Sequence, residues 1–248
     1  MSIQTEHHAW HSPSLGRPME LKTYGWQGRP VLVFPSSEGR FFQYEDSGMV
    51  EVCQPFLEAG RIKLFTVDSV DSESWYSRQA HPADKARRHQ QYDAYITREV
   101  VPFIHDHCRI GPIPVITTGC SFGAYHAANS LLRHPDLFDT AICLSGIYGL
   151  HEFVGDYSDD NVYLNDPLRY LHHLHDPQYL DLYRRSRIIL CVGQGAWEDR
   201  CLAQTRELSS VLNQRGVGHW LDIWGHDVNH DWPWWRKMMP YHLGQIGL

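Results

Sequence analysis

The stretch TTGCSFGAY, Thr117 to Tyr125, sets Ser121 between Gly119 and Gly123, directly after the run Pro114-Val115-Ile116. In a G-x-S-x-G turn that joins a strand to a helix, the chain reverses so sharply that side chains at the flanking positions would strike neighbouring backbone, which calls for glycine there. Such a turn lifts the serine oxygen above the carboxyl end of a sheet. It also aims the free N–H groups of the next helix at the same spot, where they stabilise a developing oxyanion. The Phe122 amide is the first donor expected. The surroundings fit: IPVITTG is strand-like, and AYHAANSLLRHP supplies small residues followed by a helical apolar stripe.

Outward from this turn, strands and helices alternate. Before it, Met19 to Tyr24 and Val31 to Phe34 read as two strands separated by GWQGRP, the pattern of a hairpin, and MVEVCQPFLEAG reads as a helix stopped at Gly60 ahead of a strand over Ile62 to Val67. His81 to Cys108 reads as one long helix whose last turns Pro102 should kink. After the turn come a helix to about Arg133 and a strand over Thr140 to Leu144. Residues 149–187 carry GDYSDDN, Asn165-Asp166-Pro167 and Asp176-Pro177, which predict loops and short helices able to overhang a pocket. The alternation then resumes with a strand Ile188 to Val192, a helix Cys201 to Arg215, a strand Trp220 to Trp224 and a terminal helix. This order predicts an α/β fold, a mostly parallel twisted sheet with helices on both faces, in a single domain over residues 1–248.

A serine hydroxyl is a poor nucleophile at neutral pH unless a base takes its proton and a carboxylate orients that base. Downstream, RIILCVG is followed by QGAWEDR, which places Glu198 and Asp199 in the loop after a strand, and WLDIWG is followed by HDVNHDWPWW with His226 and His230. In a parallel sheet all three loops open on one edge. Either acid also suits a helix N-terminus. His226 and His230 have the spacing of a helical metal pair but lack the internal glutamate of H-E-x-x-H, so no metal is expected there.

The composition narrows the alternatives. The 248 residues are 42% hydrophobic and 21% charged, an ordinary globular balance, and the net charge of -7 argues against a nucleic-acid partner. No apolar run approaches the roughly 20 residues that span a bilayer, and MSIQTEHHAWHSPS lacks a basic start followed by an apolar stretch, so no membrane partner and a cytoplasmic location are expected. Six cysteines at irregular spacing suit reduced thiols packed as small hydrophobes. The pattern leaves the oligomeric state open.

GCSFG, GQGAWED and NHDWPWW together resemble the esterase branch of the α/β-hydrolases, which includes esterase D, feruloyl esterases and mycolyltransferases; the resemblance runs from Val31 to the C-terminus. It implies a serine esterase without cofactor, acting on a small-molecule ester through an acyl-enzyme. An acyltransferase of the same fold and a non-catalytic binding protein are the alternatives. His230, with Trp232 and Trp235 after it, matches the family's histidine pattern and His226 does not, so the resemblance implies the triad Ser121, His230 and Glu198, with Asp199 as the other acid. The second oxyanion donor maps to the Ser37 amide in FPSSEGRFFQYED, a loop without the aspartate-glycine pair of many relatives at Pro35-Ser36. Phe41, Trp197 and Trp232 are the candidate substrate-binding residues.

Overall fold

The computed structural model describes residues 3–109 and 111–248. Eight strands form one sheet in the order β1-β2-β4-β3-β5-β6-β7-β8: β1 Thr5–Ser12, β2 Arg17–Tyr24, β3 Arg29–Phe34, β4 Ile62–Val67, β5 Val115–Cys120, β6 Phe138–Leu144, β7 Arg187–Val192 and β8 Trp220–Ile223. From β4 to β8 neighbours are parallel, while β1 pairs antiparallel with β2 and β2 with β4. β4 and β5 are buried along their whole length, as strands covered on both faces must be.

Alternation along β3 shows the two layers. Leu32 and Phe34 join a core with Tyr92, Tyr95, Ile104, Leu131 and Leu208, whereas Val31 and Val33 face Met49, Leu57, Met238 and Met239. The first layer is built by helices α1 (Pro82–Tyr95), α2 (Val101–Cys108), α3 (Phe122–Arg133) and α4 (Asp199–Gln214); α5 (Trp232–Gln245) and short helices within residues 43–58 cover the other face. α3 is buried at all but two of its twelve positions, so burial on nearly all sides holds it in one orientation.

The expected long helix is present, with its kink resolved differently. Ile96–Val100 forms a π-helical turn joining α1 to α2. Pro102 offers no N–H and its ring crowds the carbonyl of Arg98, and the wider turn just ahead of it absorbs both defects. The hairpin is a correction. β2 and β3 are not neighbours, because β4 lies between them, and the hairpin partner of β2 is β1, a strand absent from the sequence reading. MVEVCQPFLEAG likewise divides, with helices Met49–Val52 and Gln54–Glu58 meeting at Cys53. Residues 149–187 contain only short helices, the longest Pro177–Arg185.

Candidate active site

Ser121 sits at the junction of β5 and α3 with φ 57° and ψ −121°, a backbone conformation that L-residues rarely adopt. The flanking glycines explain how the turn tolerates it. A Cβ on Gly119 would lie 2.3 Å from the carbonyl carbon of Gly123, and one on Gly123 would lie 2.6 Å from the carbonyl oxygens of both Phe34 and Pro35. The turn thus needs both glycines, and the second lets the β3 loop approach the serine.

Two loops bring the acid and the imidazole together. Gly195 N–H donates to Val228 C=O at 2.8 Å, His230 N–H to Ala196 C=O at 3.0 Å, and Ala196 N–H to the Asn229 side chain at 2.8 Å, so the loops after β7 and β8 are laced to each other. Close approach again demands missing side chains, since a Cβ on Gly193 or Gly195 would fall 2.2 or 2.6 Å from Val228 O. The result is a continuous relay. Ser121 Oγ lies 2.9 Å from His230 Nε2, and His230 Nδ1 lies 3.2 Å from Glu198 Oε2. The tautomer with its proton on Nδ1 satisfies both contacts, donating to the glutamate and accepting from the serine.

Glu198 is fully buried, and a buried carboxylate needs partners for both oxygens. Its Oε1 accepts from Ser145 Oγ at 2.5 Å and from Gly193 N–H at 3.3 Å. Ser145 in turn accepts from Trp235 Nε1 at 3.0 Å, and the Trp235 ring stands edge-on to His230 at 4.9 Å. Asp199 is exposed in the first turn of α4, where its charge complements the helix N-terminus. His226 is exposed and joins neither contact of the relay. Cys201 Sγ lies 3.7 Å from His230 Nδ1, and burial pushes its thiol up to about 12.

The amides of Phe122 and Ser37 have no hydrogen-bond acceptor among the described residues. The Ser37 loop is pinned from three sides. Gln43 accepts from Ser36 N–H at 2.8 Å and donates to its hydroxyl at 2.7 Å, Asp68 accepts from Phe41 N–H at 3.0 Å, and Asp71 accepts from Glu38 N–H at 3.1 Å. The other oxygen of Asp71 meets His126 Nε2 at 2.9 Å, both groups buried, and His126 lies on α3 just beyond Ser121. The Asp71–His126 pair therefore connects the Ser37 loop to the helix of the serine. Sequence reading missed Ser145, Asp71, His126 and Gln43, because each acts through a contact between distant segments that no local pattern announces.

The aromatic candidates separate. Trp197 is 86% exposed at the rim of the acid loop. Trp232 packs edge-on against Trp235 at 4.9 Å, one ring behind the histidine. Phe41 is a correction: its ring is buried and stacks on His7 at 5.1 Å, so it serves packing against the edge strand. The nearby aromatic wall consists of Tyr76, whose hydroxyl is 2.7 Å from Ser37 Oγ, and Phe153, with ring centroids 5.0 Å apart; both also contact Phe122. Phe153 and the Glu152–Arg200 ion pair attach residues 149–187 to this side of the sheet.

The family described as "Putative esterase" matches residues 37–246. Among solved structures, a ferulic acid esterase superposes with TM-score 0.76 at 15% identity, covering 98% of this chain and 97% of its own. The fluorophosphonate-binding serine hydrolase F of Staphylococcus aureus gives 0.74 at 16% identity over 98% of both chains. Mycobacterium tuberculosis MPT51 gives 0.72 at 15% identity over 99% and 98%. A comparison with curated proteins returned no match. No helix among the described residues is long and apolar enough to cross a membrane. With a family match over most of its length and an α/β-hydrolase sheet, the chain belongs to the "Putative esterase" family, and its class of activity is ester hydrolysis.

Proposed function

We propose that residues 1–248 act as one catalytic domain in which Ser121 is the nucleophile, His230 the general base and acid, and Glu198 the orienting carboxylate. His230 Nε2 takes the Ser121 proton as Oγ attacks the ester carbonyl, and the Phe122 and Ser37 N–H groups receive the oxyanion. Collapse of the tetrahedral intermediate breaks the bond to the alcohol, which leaves with the proton from Nε2, and the acyl group stays on Ser121. Water then gives its proton to Nε2 and attacks the acyl carbonyl; the acid departs as the proton returns to Oγ. Glu198 holds Nδ1–H throughout and stabilises the imidazolium. The relay of 2.9 and 3.2 Å is the observation that carries this reading.

The substrate is a small ester, with Trp197, Tyr76 and Phe153 offering aromatic surface beside the serine. No cofactor and no nucleic acid take part. Six free cysteines, five of them buried, support a reducing compartment such as the cytoplasm. Turnover of p-nitrophenyl acetate and of a feruloyl ester tests the reading. Wild type should release alcohol with an acyl-enzyme burst, Ser121→Ala should give none, and turnover that is equal in the two would overturn it. An added acceptor alcohol separates hydrolysis from acyl transfer, since only a transferase yields mostly the new ester.

A further inference from the structure

A cavity of about 870 Å³ opens at the amino-terminal ends of β3 and β4, the opposite edge of the sheet from Ser121, and Glu6, Lys63 and His107 line it. Glu6 and His8 are alternate residues of β1, so their side chains share a face. α2 covers that face. Its His107 Nε2 lies 3.1 Å from Glu6 Oε2, and His8 Nε2 lies 3.4 Å from the same oxygen. The two imidazoles cross edge to face with centroids 5.3 Å apart.

Hydrogen bonding alone leaves this cluster incomplete. His107 bonds to Glu6, but His8 Nε2 is buried without a hydrogen-bond partner, although it points into the cluster. A cation at the meeting point would satisfy all three donor atoms at once. Tetrahedral coordination at roughly 2.0–2.1 Å sets adjacent donors about 3.3 Å apart; the two spacings to Glu6 Oε2, 3.1 and 3.4 Å, match that value, and all three donor atoms lie within 4.8 Å of one another. The donor set is two neutral imidazoles and a carboxylate, which suits zinc and neighbouring divalent transition metals.

We propose that Glu6, His8 and His107 form a binding site for a divalent transition-metal cation of the zinc class, which fastens the edge strand β1 to α2. The cavity gives the ion a route in and room for water as a fourth ligand. Bound metal joins residues 101 positions apart in sequence and raises stability by mass action, because the unfolded chain does not hold the three donors together. The role is structural and lies apart from the ester chemistry.

Among the described residues there are two other groups of three donor side chains, Glu198–Cys201–His230 within the candidate active site and Cys191–Asp222–His242 between β7, β8 and α5. Single variants therefore assign the site. Metal-free full-length protein is titrated with zinc chloride at pH 7.5 by calorimetry, and its melting temperature is followed with zinc and with EDTA. Wild type should bind zinc and melt higher with it. Glu6→Gln, His8→Gln and His107→Gln should each lose about tenfold or more in affinity and lose the zinc-dependent rise, while His8→Gln in EDTA hydrolyses ester as wild type does. Zinc binding and a melting rise undiminished in Glu6→Gln and His8→Gln, or no zinc uptake by wild type, would overturn the proposal.

Discussion

At the carboxyl edge of β5 and β7, the polar side chains around Ser121 form two hydrogen-bonded groups, one through Glu198 and one through Asp71. Glu198, Ser145, Asp71 and His126 are all buried and paired, and the links Glu198–His230, Glu198–Ser145 and Asp71–His126 each join segments far apart in the chain. At the antiparallel flank, β1 alternates between exposed and half-buried residues as far as the buried Ser12, and its outward-facing contact of His7 with Glu20 at 3.0 Å is open to water. A network sealed from water holds its groups in one geometry and strengthens each electrostatic contact, whereas water screens the flank. Substitutions in the first region should cost turnover, and those in the second only a little stability.

The sharpest contrast is between the two histidines of one loop. His230→Ala should lower kcat by about a hundred-thousandfold or more, and His226→Ala, whose ring is exposed, should leave kcat near wild type. Steady-state ester kinetics on both proteins decide it, and the reverse order would break the assignment of the base. Next in size is the acid. Glu198→Gln should reduce kcat on the order of ten-thousandfold by leaving His230 without its charged partner, while Asp199→Asn should change it little. Equal losses would mean that both carboxylates reach the imidazole.

Acid sensitivity extends the comparison to stability. His242 is fully buried, and burial holds its pKa down at about 4 against an ordinary value of 6.5. Between those values the unfolded chain binds more protons than the folded one, so stability is complete above about pH 6.5 and falls as the pH drops toward 4. His89, buried beside Trp75 and Tyr125, is shifted in the same direction by the same cause. Denaturant unfolding at pH 7 and pH 4.5 should show the loss, at most about 3 kcal/mol for His242, and His242→Phe should flatten the profile between them. An unchanged profile would show that the ring is already protonated or already solvated. The smallest effect belongs to the flank: His7→Ala should cost under about 1 kcal/mol and leave kcat intact, and a larger loss would show that the edge is less open than its exposure implies.

The same division governs what could be read from sequence. Local chemistry announced the Ser121 turn, since two glycines and a strand–helix junction are contained in nine residues. Strand order along a parallel sheet brought the loops of Glu198 and His230 to one edge. Choosing Glu198 over Asp199 required knowing where α4 begins: one residue earlier is buried under Ser145, one later faces water. The hairpin was misjudged because β2 and β3 follow each other with a turn between them, whereas the partner of a strand is chosen by the core that several segments bury together. Phe41 was misjudged for a related reason, as an apolar ring in a loop near the serine satisfies either a pocket or a packing site, and His7 on β1 decided the outcome.

The central claim is that Ser121 is activated by its neighbours. Intact-mass spectrometry after incubation with a fluorophosphonate measures this directly. The account predicts one covalent adduct per wild-type chain, located on the peptide containing Ser121, with none on Ser121→Ala and greatly slowed labelling on His230→Ala. Labelling of Ser121→Ala at the wild-type rate, or a folded wild-type protein that stays unlabelled, would contradict it.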